Sequence, residues 1–186
     1  MTNKKKILSL VMVLALVLGT IGGTLAWLTD KTEPVVNTFT VGQVDVSLAE
    51  SENPYKMIPG TTLAKDPKVT LERGSEDAWL FVKVTKTEGF DNYIEYALGE
   101  NWKQLTVDGA AVAGVYYYDA DVTAGTPISV LAGDQVKVKE TVTNEMMVTA
   151  KETAPKLTFE AYAVQKAKNN TEKFTAEEAW TAAAFK

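Results

Sequence analysis

The chain has 186 residues, no cysteine, no histidine, and 24 acidic residues against 19 basic ones, a net charge of −5. Without cysteine there is no disulfide framework, and without histidine neither a Ser-His-Asp triad nor an H-E-x-x-H zinc motif can form. The acidic balance argues against a nucleic-acid partner, which needs a basic surface to displace the counterions of phosphate.

At the N-terminus Lys4, Lys5 and Lys6 precede an apolar run from Ile7 to Leu18 broken only by Ser9, and Thr24 and Ala26 then place small residues where a signal peptidase reads. This pattern predicts a secretory signal over residues 1–26, cut between Ala26 and Trp27. An uncleaved anchor is the alternative, because no charge occurs between Ile7 and Leu28 and about 20 such residues span a bilayer core. Gly19, Gly22 and Gly23 weaken the helix just before the small-residue site, and the most apolar part is shorter than a span, which favours cleavage. The three lysines are the only charges in the signal, so the mature chain carries −8 over 160 residues. That length suffices for one domain with its own core. No later run approaches a span, and the end of the chain (Ala182 to Lys186) shows neither a hydrophobic tail nor a Leu-Pro-x-Thr-Gly sorting signal. The expected location is therefore secreted, in the extracellular matrix or at the cell surface, with membrane contact only through the signal before cleavage.

Residues 27–42 read as an N-terminal arm whose Trp27, Leu28, Val35, Val36, Phe39 and Val41 are apolar and mostly β-prone, interrupted by Pro34. Residues 43–186 read as the folded domain. Val44, Val46 and Leu48 alternate with polar or small residues, as a half-buried strand requires. Glu50 to Thr62 reads as a loop around Asn53-Pro54 and Pro59-Gly60, and Val69 with Leu71 as a second strand. Trp79 to Thr87 is nearly continuously apolar at its start, the pattern of a central strand covered on both faces. Tyr93 to Leu98 fits a strand or a short helix. Trp102 to Val107 leads to Asp108-Gly109, a hairpin turn pair, then a small-residue loop and a strand at Val115 to Tyr118. Short strands at Ile128 to Leu131 and from Val136 to Val142 precede a long final strand from Leu157 to Ala163. Thr175 and Glu178 have capping-box spacing ahead of an Ala-rich run that predicts a C-terminal helix docking Ala179, Trp180 and Ala183 on the sheet. The fold class is all-β, an antiparallel β-sandwich with a short C-terminal helix.

Little in the chain points to catalysis. No G-x-S-x-G elbow or phosphate-binding glycine loop occurs, so no catalytic residue, no cofactor and no firm metal site is expected. Asp119 and Asp121 have a spacing that hints at Ca²⁺, but the further ligands of an EF-hand loop are missing and a solvated turn explains them as well. Glu76-Asp77 reads as a strand-entry loop, and Glu177-Glu178 as the acidic first turn of a helix. Tyr116, Tyr117 and Tyr118 fit either a sugar-binding platform or alternation into and out of a sheet, the latter being the more ordinary use.

The residues Lys4 to Lys6, Gly19 to Ala26, Trp27-Leu28-Thr29-Asp30 and Asn37 to Gly42 closely resemble the export signal and mature start of the TasA/camelysin family. Looser similarity continues in Met57 to Gly60, Ala78 to Val84, Gly114 to Tyr118 and Ala161 to Gln165. The resemblance implies a Gram-positive exported protein with a jelly-roll-like β-sandwich, processed by a SipW-type signal peptidase and built into biofilm matrix fibres with copies of itself and related matrix proteins. It also implies joining of subunits by donor-strand exchange, in which the apolar arm freed by cleavage adds to a neighbour's sheet edge; packing of the arm into its own domain uses the same hydrogen bonds. A monomeric surface-binding module is the second expectation. The metalloprotease activity attached to camelysin is the third, against which the missing histidines count, since protein zinc usually takes nitrogen or sulfur ligands.

Overall fold

The computed structural model describes residues 43–51 and 56–185; the expected signal (1–26) and arm (27–42) lie outside the described residues. In chain order the elements are β1 (Val46–Ala49), β2 (Thr62–Ala64), β3 (Lys68–Leu71), β4 (Ala78–Lys86), α1 (Phe90–Tyr93), β5 (Ile94–Glu95), β6 (Trp102–Val107), β7 (Ala110–Tyr118), β8 (Ile128–Ser129), β9 (Gln135–Val138), α2 (Asn144–Glu152), β10 (Leu157–Gln165) and α3 (Ala176–Ala183), with a 3-10 turn at Ala132–Asp134.

All strand pairs are antiparallel and fall into three hydrogen-bonded sheets, ordered β10-β4-β7-β6, β1-β3-β8 and β2-β9-β5. The last two are continuous. β2 and β3 lie on one stretch of chain, β8 and β9 on another, and the gap is bridged by Val130 N–H to the Pro67 carbonyl and Lys65 N–H to the Asp134 carbonyl, both 2.9 Å. The result is a second layer that faces the first, and Leu80, Val82, Val84 and Phe159 of one layer pack with Val69, Leu71, Val130 and Val136 of the other. This is the sandwich that the strand pattern predicts.

The two-sided burial of β4 follows from its alternation. Leu80, Val82 and Val84 enter the core between the layers. Phe81 enters a second cluster with Leu105, Val115 and the α3 residues Ala176 and Ala179. Burial of a large apolar side chain is worth roughly 1.5–3 kcal/mol, so a strand with both faces covered fixes the centre of the molecule. α3 starts at a capping box: the Glu178 N–H donates to Thr175 Oγ1 at 3.2 Å, and the Thr175 N–H donates to Glu178 Oε2 at 2.9 Å. From there Trp180 lies 5.2 Å from the Phe81 ring and 5.7 Å from that of Tyr162, between centroids.

Three local expectations are corrected. The small-residue loop expected after Asp108-Gly109 is instead the start of β7, since Val107 pairs with Ala110 and Thr106 with Ala111. The excess length of β7 is taken up in an irregular bulge, where the Gln104 carboxamide donates to the Val112 carbonyl at 2.7 Å and the Val115 carbonyl at 2.9 Å. β9 ends at Val138, and Val142 is buried from a turn rather than from a strand. Helix α2 was not anticipated; Thr143 caps it by accepting from the Met146 N–H at 3.3 Å.

Candidate functional site

Residues 27–42, the expected arm, directly precede the segment ahead of β1 in the sequence, which makes the surroundings of β1 the first place to look for an assembly surface. Val44 and Val46 pack on the core, whereas Leu48 is 36% exposed. On one side β1 pairs with β3, from Val46 opposite Leu71 to Ala49 opposite Lys68. Glu72 N–H to the Asp45 carbonyl (2.9 Å) and Glu76 N–H to the Gln43 carbonyl (3.1 Å) extend that ladder back to Gln43. At the far end Ser51 donates both its N–H and its hydroxyl to Asp66, each at 2.9 Å. Those donors, the backbone one foremost, hold the Asp66 carboxyl below the ordinary carboxylate range. On its other side β1 is hydrogen-bonded to no strand among the described residues, so its main-chain groups there form an edge, with β10 lying near it.

Among the clefts that open on the described residues, two contrast in chemistry. One, of about 410 Å³, is mostly apolar, with walls that include Leu63, Phe90, Ile94, Val136 and Leu157; Lys65 and Lys156 also line it. The Lys65 ammonium is 2.7 Å from Glu50 and 5.4 Å from the centre of the Phe159 ring. The other, of about 560 Å³, lies where the β5–β6 turn, the end of β7, the β7–β8 loop and the 3-10 turn meet. Its wall includes Trp102, whose indole N–H donates to the Ser129 carbonyl at 2.9 Å, and Tyr118, set edge-on to Trp102 at 5.2 Å.

The tyrosine run is divided by the pleat. Tyr116 and Tyr118 pack against the core between the layers. Tyr117 turns to the opposite face, edge-on to Trp79 at 5.9 Å. No flat three-ring platform results. Asp119 and Asp121 are likewise separated in role: Asp119 pairs with Lys103, a contact that raises the lysine pKa, while Asp121 lines the larger cleft. Among the described residues no three His, Cys, Asp or Glu side chains gather as a metal would require. Thr24, Ala26 and Trp27 of the cleavage site lie outside the described residues, as do Leu28, Val35, Val36, Phe39 and Val41 of the arm. Among the described residues no helix is long and apolar enough to cross a membrane.

Sequence reasoning missed both clefts, because their walls come from segments that meet only through strand pairing. The turn residues Gly99, Glu100 and Asn101 were the only local signal of the larger one. Neither protein-family models, curated proteins nor solved structures offer a match to this chain.

Proposed function

We propose that the protein is a secreted structural subunit of an extracellular fibre or matrix, assembling through residues 27–42 once the signal has been removed. The reading starts from the resemblance of its N-terminal residues to the TasA/camelysin family and draws its main structural support from one observation. β1, the strand that follows residues 27–42 in the chain, has an edge whose main-chain groups are hydrogen-bonded to no strand among the described residues, although β10 lies near it. An unpaired edge takes an added strand by main-chain hydrogen bonding, and alternate apolar side chains of that strand supply specificity. An arm donated by a second copy makes a head-to-tail contact, which does not close on itself and so propagates as a filament. The signal keeps the arm at the membrane until a SipW-type peptidase releases it, so cleavage is the assembly switch.

The test compares the secreted chain starting at Trp27 with the same chain lacking residues 27–40, by electron microscopy and light scattering. The first should form filaments and the second should remain a folded monomer. Filaments from the shortened chain would overturn the role of the arm, and a monomer starting at Trp27 would overturn the fibre itself.

A further inference from the structure

The larger cleft takes no part in the assembly reading, and its chemistry is distinct from that of the apolar one. Its backbone is held on several sides. Gly99 N–H donates to the Val130 carbonyl (2.9 Å), Asp119 N–H to the Asn101 carbonyl (2.8 Å) and Gly125 N–H to the Leu71 carbonyl (2.7 Å). These bonds tie the turns to both layers of the sandwich, so the cleft is preformed. Its volume of about 560 Å³ falls in the range of small-ligand sites, about 300–1,000 Å³.

The polar wall is rich in acceptors and hydroxyls and lacks cations. Glu100 and Asp121 bring carboxylates, Thr123 and Ser129 hydroxyls and Asn101 a carboxamide, whereas no lysine or arginine lines the cleft. Neither carboxylate has a hydrogen bond or ion pair among the described residues. The Asn101 amide donates to the Tyr118 hydroxyl at 3.3 Å, which fixes the amide beside the ring. Trp102, 6% exposed and with its N–H spent on Ser129, is a structural wall, and half-buried Tyr118 is the accessible aromatic surface.

Each class of small ligand makes a different demand on such a wall. Phosphate or carboxylate ligands need cationic donors, and two nearby carboxylates repel them. A lipid tail needs a predominantly apolar lining, which the other cleft has, whereas this one is divided about evenly between polar and apolar surface. Calcium takes six to eight oxygens, carboxylates foremost, and among the described residues no three acidic side chains gather as such a site would require. A neutral polyol fits: its hydroxyls donate to carboxylates and accept from amide and hydroxyl groups, and its C–H face covers an aromatic ring. We propose that this cleft is a binding site for a neutral saccharide, with Asp121 as the principal hydroxyl acceptor and Tyr118 as the ring that the sugar covers.

The experiment is saturation-transfer NMR on the secreted chain, which tolerates assemblies. Hexasaccharides of glucose, N-acetylglucosamine, mannose and galactose serve as probes, and calcium chloride as a separate titrant. At least one saccharide should receive saturation, Asp121→Asn should weaken it about tenfold with an unchanged melting temperature, and Tyr118→Ala should abolish it. Because Tyr118 also contacts the core, Asp121→Asn carries the decision. Absence of transfer to all four saccharides overturns the proposal, as does binding that Asp121→Asn leaves unchanged, or calcium binding lost in Asp121→Asn without any saccharide effect. Filament formation is read separately, so failure of the saccharide site leaves the assembly reading standing.

Discussion

Gly114 lies in the middle of β7 with φ at 71°, and a Cβ built there would stand 2.5 Å from the Val84 carbonyl oxygen of the central strand. Two costs therefore meet at one residue. A left-handed conformation in an L-residue costs about 1–2 kcal/mol, and the contact can be relieved only by parting β7 from β4. Gly109, in the hairpin turn that starts β7, has φ at 77° but open space around its Cβ position. Gly114→Ala should thus lower stability by about 3 kcal/mol, and Gly109→Ala by about 1 kcal/mol, both read from urea unfolding. Equal losses would mean that backbone conformation alone sets the requirement and that the approach to Val84 is inconsequential. The turn glycine was legible, because Asp-Gly between apolar runs is a local signal. Gly114 was not read as the centre of a bulge, because its need arises from the neighbouring strand, which sequence spacing does not display.

The same contrast holds between helices. α3 was legible from Thr175 and Glu178, whose reciprocal bonds form the expected capping box, and from the spacing of Ala179 and Trp180. α2 offers only half of that signal: Thr143 caps it, but Met146 stands where a box would carry Glu or Gln, and β-branched Val148 and Thr149 lower its propensity. The cap of α3 supports two predictions. Thr175→Ala should cost about 1 kcal/mol, a fall of roughly 2–4 °C in melting temperature. The Glu178 carboxyl is held below its ordinary value of 4.5, first by the Thr175 N–H and then by Lys168. An acid with a depressed folded-state pKa contributes stability above its unfolded pKa, and that contribution disappears as the pH falls through the folded value. Wild type should therefore melt above Glu178→Gln at pH 6, and the gap should close as the pH is lowered below 4.5. A gap that does not change with pH would show that the carboxylate charge plays no part in the cap.

At the scale of the whole molecule, the layered fold was legible while the sites on it were not. β4 announced itself by a continuous apolar run, but an open edge or a cleft is a property of strands brought together from distant positions. Charge, in contrast, is legible without any structure, and it constrains assembly. On the proposed function, loss of Lys4, Lys5 and Lys6 with the signal would leave a subunit of charge −8, and a head-to-tail filament would place like-charged bodies side by side. A domain of this length has a radius of gyration near 15 Å, whereas the screening length is about 30 Å at 0.01 M salt and about 8 Å at 0.15 M. At low salt the subunits repel across their whole bodies; at the higher salt only charges near the contact matter. An arm that docks chiefly by main-chain hydrogen bonds and apolar side chains gains nothing from low salt to offset this repulsion. Filament elongation should accordingly quicken by roughly threefold to tenfold from 0.01 to 0.15 M sodium chloride, followed by light scattering from seeded protein. Elongation slowed by salt would mean that opposite charges steer the contact, and the interface would then have to be sought among charged side chains rather than along the edge of β1.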